Sequence, residues 1–177
     1  RALALKQFES ADNMTDQFAA LAVLANVNAA DCPERTAALA DFYAKWKDEA
    51  LVVDKWLAVQ STSRRPDTLA TVKALITHPA FDSGNPNKIY SLIRAFGANL
   101  THFNAADGSG YAFIADQVLA LHDRNPQVAS RLARCFDRWQ KFDANRQVHA
   151  KAALERIREH AGLSRDVLEV VSRALGD

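Results

Sequence analysis

The feature that most constrains this chain is the spacing of its apolar residues, which recur every three or four positions along nearly the whole sequence. That period is typical of amphipathic helices, because residues three and four apart lie on one face of a helix. No segment alternates apolar and polar residues between hairpin turns, as a half-buried strand would. The pattern therefore predicts an all-α fold.

Local signals indicate where several helices begin. Thr15 is predicted to cap a helix whose apolar face includes Phe18 and Leu21, and Pro33 is predicted to open the next helix. Further helices are predicted over Arg1–Phe8, Leu51–Gln60, Leu69–Ile76, Tyr111–Leu121, Val148–Ile157 and Val167–Leu175. The connections between them are short, which favours antiparallel neighbours.

The clearest start signals are two Asn-Pro pairs, Asn85-Pro86 and Asn125-Pro126. Asn is a good N-cap, and Pro is tolerated at the first helical position because its missing N–H would have no partner there. The first pair is followed by an apolar stripe that we expect Gly97 to end in the left-handed conformation. The second opens a stripe formed by Val128, Leu132, Cys135, Phe136 and Trp139.

The two Asn-Pro starts lie about 40 residues apart, which is within the range of helix-pair repeats. The prediction is a solenoid-like superhelical array of stacked antiparallel helix pairs, of the HEAT or ARM type. A length of 177 residues favours one domain over two small ones, so residues 1–177 are expected to form a single all-helical domain.

Composition excludes several classes of protein. Hydrophobic residues make up 49% and charged residues 24%, which excludes disorder as the main state, and a net charge of +1 gives no general attraction to nucleic acid or acidic membranes. No apolar run is long enough to cross a bilayer.

The cysteines, Cys32 and Cys135, are too few for a disulfide scaffold, so we expect a cytoplasmic protein. Because the sequence begins without Met and inside a helix, we interpret it as part of a longer chain.

No motif for catalysis or metal binding is present in the sequence. None of the five histidines precedes Glu, so the His-Glu-x-x-His zinc motif is absent, as are the Gly-x-Ser-x-Gly elbow and the phosphate-binding loops. His102 is expected in a loop and His122 at a helix end, whereas His78, His149 and His160 are interpreted as surface or helix-end residues. The Asp107–Gly110 segment lacks the alternating oxygen ligands of a calcium loop and is predicted to be a tight turn.

Cys32 and Cys135 are interpreted as core or helix-end thiols, and the tryptophans as core residues. The three tryptophans are Trp46, Trp56 and Trp139.

Basic residues concentrate between Arg124 and Arg165, with ten Lys or Arg against four Asp or Glu. Such a stretch is typical of a solvated helix surface, although a concave basic face could also hold nucleic acid or an acidic partner. The absence of interleaved aromatic residues favours the solvated surface.

Gln127 and Arg131 lie four residues apart near the predicted start of a helix, so both project from one face. An exposed pair without a specific role is the simplest interpretation. A cation beside a helix N-terminus would also suit a carboxylate or a peptide carbonyl.

Together these segments resemble the carboxyl-terminal helical domain of the bacterial aminopeptidase N family, the alanyl-aminopeptidase branch of the M1 zinc metallopeptidases. The likeness extends over nearly the whole chain. The residues that carry it are Asn13-Met14-Thr15-Asp16, Val53-Asp54-Lys55-Trp56, Asn85-Pro86-Asn87-Lys88 with Ser91-Leu92-Ile93 and Phe96, Asp107-Gly108-Ser109-Gly110-Tyr111, and Arg124 to Arg131.

The resemblance implies a zinc exopeptidase that removes single amino-terminal residues, with its metal ligands and catalytic residues in an upstream domain of the same chain. This segment alone would then be inactive, would hold no metal, and would cover the active-site cavity. Gln127 and Arg131 would face that cavity and bind short peptide substrates beyond the scissile bond. Tyr90 stands where some relatives have Arg. The expected partners are the catalytic domain and peptides, with no nucleic acid and no membrane.

Two other functions remain open from the sequence. The chain could be an independent helical-repeat module that binds another protein, or a basic solenoid that binds nucleic acid. Separation from upstream helices is expected to expose an apolar end through which the fragment could self-associate.

Overall fold

The computed structural model describes residues 1–28 and 32–176, and all regular structure within these ranges is helical. This confirms the all-α prediction. The α-helices are α1 (Ala2–Ser10), α2 (Met14–Ala25), α3 (Pro33–Trp46), α4 (Ala50–Ser61), α5 (Thr68–Leu75), α6 (Pro86–Ile89), α7 (Ala95–Ala98), α8 (Leu100–Phe103), α9 (Ser109–Leu121), α10 (Pro126–Ala133), α11 (Ala144–Arg158) and α12 (Arg165–Leu175). A π-helical segment covers Tyr90–Arg94, and 3-10 turns cover Arg134–Phe136 and Trp139–Lys141.

The chain divides into two compact units, Arg1–Leu92 and Ile93–Asp177. In the first unit, α1 packs on α2, α2 on α3, α3 on α4 and α4 on α5, so each helix lies beside the next one along the chain. The residues at the centre of this core are fully buried apolar side chains: Leu21, Leu24, Phe42, Leu57, Val72 and Ile89. The expectation that residues 1–177 form one domain stays a prediction.

In the second unit, α9 packs against α8, α10 and α11, and α12 packs against both α10 and α11. Its core is formed by Phe96, Ile114, Leu132, Phe136, Leu154, Ile157 and Val167. Gly110 lies where α9 meets the end of α8, and an added Cβ would fall 2.7 Å from the Cα of Phe103. A glycine is therefore required for these two backbones to approach so closely.

The predicted helix starts at Pro33, Pro86 and Pro126 are confirmed, with each proline in the first turn. The prediction that Thr15 is an N-cap is wrong. Asn13 occupies that position, and its side-chain Oδ1 accepts a hydrogen bond from the N–H of Asp16 at 2.9 Å. Both residue types can cap a helix, and the chain uses the earlier one, so Thr15 lies in the first turn of α2.

Gly97 does not end its helix in the left-handed conformation, so that prediction is wrong as well. The positive-φ glycines of the described chain are Gly108, Gly162 and Gly176. Gly97 lies inside α7 and is buried, and a Cβ there would overlap the Sγ of Cys135. It is therefore a close-packing position rather than a cap. The stretch from Pro86 to Ala98 is a short α-turn, a π-helical segment and α7 in succession, not one regular α-helix.

The stripe that begins at Val128 is not one α-helix either. Helix α10 ends at Ala133, and Cys135 and Phe136 lie in a 3-10 turn, with Trp139 in a second one. Phe136 nevertheless remains fully buried, with its ring centroid 5.3 Å from that of Phe103. Within residues 1–28 and 32–176, no helix is both long and apolar enough to span a membrane.

Candidate functional site

Helix α10 carries the two site residues predicted from the sequence. Asn125 caps it, with Oδ1 accepting from the N–H of Val128 at 3.2 Å, and Pro126 occupies the first turn. The face of α10 that packs on α9 and α12 is apolar and buried: Val128, Ala129, Leu132 and Ala133. Because this apolar face is buried, the opposite face of α10 is exposed to solvent.

Gln127 and Arg131 are both exposed and lie one turn apart on α10, as their spacing predicts. The hydroxyl of Ser130 donates to the main-chain carbonyl of Gln127 at 3.0 Å, beside this pair. The Gln127 amide can both donate and accept, whereas the Arg131 guanidinium only donates and carries a fixed positive charge. The pair can therefore bind carbonyl or carboxylate oxygens, but neither side chain can move a proton at neutral pH. Its role in substrate binding stays a prediction.

The basic stretch from Arg124 to Arg165 contains several ion pairs. Arg134 pairs with Asp137, Arg146 with Asp143, Lys151 with Glu155 and Arg156 with Asp116. The hydrogen bond from Arg146 lowers the pKa of Asp143. Because carboxylates offset part of the positive charge, these contacts favour the solvated helix surface over a nucleic-acid interface.

The histidines lie in no cluster of three or more metal-ligating side chains in the part of the chain that the structure describes. In the described residues, no group of three or more His, Cys, Asp or Glu side chains is arranged to hold a metal ion. His102 lies in α8, so its expected place in a loop is wrong. His122 does end α9, but it is 3% exposed, with its ring 5.0 Å from the ring of His160 and its Nδ1 3.1 Å from Asp123 Oδ1.

Both cysteines are free thiols in the places that the sequence analysis gave them. Cys32 is buried and immediately precedes α3, and Cys135 lies in the 3-10 turn after α10. Burial raises the pKa of Cys135 to about 11. A thiol that stays protonated at neutral pH is a poor nucleophile, which supports the interpretation of Cys135 as a packing residue.

The Asp107–Gly110 segment is a tight turn, as predicted. Asp107 Oδ1 accepts from the Ser109 N–H at 3.0 Å, and hydrogen bonds from Ser109 lower the pKa of Asp107. Gly108 has a φ of 75°, and an added Cβ would lie 2.6 Å from the Cγ of His149. Gly108 is thus required both by its backbone conformation and by the His149 ring packed over it.

The three tryptophans each donate an indole hydrogen bond. Trp56 is buried and donates to the Leu39 carbonyl at 2.9 Å, which confirms its place in the core. Trp46 and Trp139 are only half-buried, and they donate to Gln17 Oε1 at 2.9 Å and to the Ala174 carbonyl at 2.8 Å. For these two the core interpretation was too strong.

Sequence reasoning missed a pairing between two motif residues. Lys88 Nζ lies 2.7 Å from Asp54 Oδ1, and both side chains are largely buried. Each residue was noted within a short motif, but no spacing rule joins positions 34 residues apart. The available signal was that each motif places a charged residue, Asp54 or Lys88, beside apolar neighbours that must be buried.

The fold defines a helical-repeat domain, with Gln127 and Arg131 exposed on one face of α10. Residues 1–176 match the family described as "Domain of unknown function (DUF3458_C) ARM repeats", and the chain belongs to that family. This confirms the predicted helical-repeat fold.

Three curated relatives are each named aminopeptidase N. The chain is 45% identical to the Escherichia coli (strain K12) protein and 42% identical to the Haemophilus influenzae protein, in both cases over 98% of this chain and 20% of the relative. It is 39% identical to the Caulobacter vibrioides protein over 97% of this chain. A crystal structure of Legionella pneumophila aminopeptidase A, in complex with aspartic acid, matches with a TM-score of 0.92 and 36% identity over 98% of this chain.

These matches confirm the resemblance to the aminopeptidase N family. The chain spans about a fifth of the length of the relatives it matches.

Proposed function

We propose that this chain is the carboxyl-terminal, non-catalytic domain of a zinc-dependent aminopeptidase of the M1 family, which removes amino-terminal residues from peptides. The observation that carries the proposal is similarity over nearly the whole chain to aminopeptidase N from three organisms, at 39% to 45% identity. A cytoplasmic location, expected from the two free cysteines, belongs to the same proposal.

The zinc of such an enzyme would be bound outside these 177 residues. The described part of the chain brings together no three side chains suited to a metal ion. The catalytic residues would likewise lie in the upstream domain of the same chain, so the segment alone should be inactive.

The contribution of this domain would be to cover the active-site cavity and to hold the peptide beyond the scissile bond. Gln127 and Arg131 support this role because they are exposed, adjacent on α10 and matched to peptide groups. The Gln127 amide suits a backbone amide, and the Arg131 guanidinium suits a backbone carbonyl or a terminal carboxylate.

The proposal is tested by hydrolysis of alanyl p-nitroanilide with zinc present. Three samples are compared: this chain, the parent chain truncated before Arg1, and the two mixed. Recovery of activity on mixing supports a covering domain that completes the enzyme. Circular dichroism verifies that each fragment is folded, so that a mixture of folded fragments without recovered activity counts against the proposal.

Full activity of the truncated parent toward both the anilide and longer peptides would contradict the covering role. A mixture prepared with a Gln127→Ala/Arg131→Ala fragment is the matched control. It should restore anilide hydrolysis but restore less tripeptide hydrolysis, because only the longer substrate extends past the cleaved bond.

A further inference from the structure

A groove of about 400 Å³ lies on the first unit, lined by residues of α3 and α4 and by the end of α5 with His78 just beyond it. Its volume is within the range of small-ligand sites. Its lining includes buried Trp56 and Gln60 and half-buried Arg35, Tyr43 and His78. These five residues combine an aromatic surface, a cation and an amide.

The aromatic surface is continuous and held in place. The Tyr43 ring centroid lies 4.7 Å from that of Trp56 and 4.9 Å from that of His78, and the Trp56 and His78 centroids lie 5.2 Å apart. The indole of Trp56 donates to the Leu39 carbonyl at 2.9 Å, and His78 Nδ1 accepts from the Ala80 N–H at 3.0 Å. Rings fixed in this way offer a preorganised face for another aromatic ring.

Arg35 supplies a positive charge that is paired directly with no carboxylate among the described residues. Its Nε donates to the Ala25 carbonyl at 3.2 Å, and no carboxylate of the described residues lies within ion-pair distance of its guanidinium. The nearby Asp67 is already engaged by Arg65, with contacts of 2.9 Å and 3.0 Å. Burial, and then the charge of Arg65, lower the pKa of Arg35, and the charge of Asp67 opposes them only in part. An anion bound in the groove would offset both effects.

Gln60 adds a hydrogen-bonding group to the lining of the groove. It is 5% exposed, and its Nε2 donates to the Trp56 carbonyl within its own helix at 3.0 Å. The remaining polar atom, Oε1, can accept an N–H from a ligand.

The helix geometry places the polar and aromatic groups at opposite ends. Arg35 precedes Tyr43 by about two turns of α3, roughly 11 Å. The short connection between α3 and α4 makes these helices antiparallel, so Gln60, one turn after Trp56, lies toward Arg35. A ligand must therefore carry its anion and N–H at one end and its ring at the other.

We propose that this groove binds the carboxyl-terminal end of a peptide whose last residue is aromatic. The terminal carboxylate would lie on Arg35, the last amide N–H on Gln60, and the ring on the face formed by Tyr43, Trp56 and His78. This assignment does not rest on the proposed enzyme function and adds a second peptide-binding surface to it.

The test is a titration of the natural full-length chain with N-acetyl-glycyl-L-phenylalanine, in which saturation-transfer NMR measures binding. The acetyl group blocks removal of the amino-terminal residue. Arg35→Gln should weaken binding about tenfold or more, because a charge-assisted hydrogen-bonded pair is lost. The carboxamide analogue and N-acetyl-glycyl-L-alanine should bind the unaltered protein correspondingly more weakly. Lys73→Gln, an equal charge change at an exposed position of α5, should leave affinity unchanged.

Equal affinity for the acid and its carboxamide would overturn the proposal, as would unchanged binding to Arg35→Gln. Should Arg35→Gln lower the melting temperature, the comparison of the two ligands on the unaltered protein still decides the question. None of these outcomes bears on alanyl p-nitroanilide hydrolysis, so the proposed function stands or fails separately.

Discussion

Lys88 and Asp54 form an ion pair inside the first unit, with Nζ 2.7 Å from Oδ1 and the two side chains only 11% and 16% exposed. The same Nζ donates to the Ala50 carbonyl at 2.9 Å. The pair therefore joins α6 to α4. A buried ammonium is stable only with such partners, because removing it from water is costly.

Replacing Lys88 by Met should lower the free energy of unfolding by about 3 kcal/mol, because Asp54 would be left buried without its cation. The measurement is thermal unfolding followed by circular dichroism. Lys88→Met/Asp54→Leu should recover most of the loss, since no charge then remains buried. Lys151→Met removes an exposed pair with Glu155 and should cost less than about 1 kcal/mol. Equal effects at Lys88 and Lys151 would show that burial of the first pair is unimportant.

The helices that the sequence predicted correctly are those whose signals are local. Pro33, Pro86 and Pro126 restrict the backbone of their own residue, so the starts there follow from sequence alone. The common face of Gln127 and Arg131 follows from a spacing of four within one helix. Local chemistry was ambiguous only where Asn13 and Thr15 could each cap α2.

The features that sequence analysis missed depend on contacts between distant positions. Gly97 was interpreted as a helix end because its packing against Cys135, in a later segment, leaves no trace in neighbouring residues. The aromatic groove was missed for the same reason, since Arg35, Trp56 and His78 lie on three separate segments. Periodicity shows which face is buried, but not which residue it meets.

Gly97→Ala should destabilise the second unit despite the better helix propensity of alanine. The new methyl group would overlap the Cys135 Sγ, and overpacking of this kind costs about 1–3 kcal/mol. Gly97→Ala/Cys135→Ala should be more stable than Gly97→Ala alone, because the methyl group of Ala at position 97 then occupies the space left by the Cys135 sulfur. Thermal unfolding of the two single variants and the double variant measures this coupling. Simple additivity would contradict the assigned contact.

Cys135 should resist alkylation in the folded protein. With a pKa of about 11, roughly one molecule in a thousand carries the thiolate at pH 8, and the thiolate is the reactive form. The rate of iodoacetamide labelling at Cys135, read by peptide mass spectrometry, should rise about tenfold per pH unit between pH 8 and 10. In urea the residue should react at the rate of an ordinary thiol. Fast labelling of the folded chain at pH 8 would contradict the assigned burial.

The Arg65–Asp67 pair should make stability depend on pH in the acid range. The hydrogen bond from Arg65 is the main cause of the lowered pKa of Asp67 in the folded chain. In the unfolded chain the pKa of an aspartate is about 4. Because the pKa of Asp67 is lower in the folded chain, the pair stabilises the fold above about pH 4, and this stabilisation is lost as the pH falls through the folded-state pKa. Asp67→Asn should therefore reduce the fall in melting temperature between pH 5 and pH 2.5. Asp48→Asn, at another exposed position, should leave that fall unchanged.

Arg131 is expected to act on peptides rather than on single-residue substrates. If the proposed function is correct, Arg131→Ala in the parent enzyme should lower kcat/KM for a tripeptide about 10- to 100-fold, the usual effect of losing a hydrogen bond from a charged group. Hydrolysis of alanyl p-nitroanilide should change less than about twofold, because that substrate has no peptide beyond the cleaved bond. Gln127→Ala should show the same selectivity with a smaller loss, since its amide is neutral.

Arg165→Ala is the matched control for this prediction, because it removes an exposed arginine from the first turn of α12 and leaves α10 intact. It should alter neither reaction. Equal losses on the tripeptide and the anilide for Arg131→Ala would instead indicate a general effect on the catalytic domain. If KM for the tripeptide rises while kcat is unchanged, Arg131 binds the substrate ground state as strongly as the transition state. A selective loss in kcat would mean that the guanidinium contact strengthens only as the bond is cleaved.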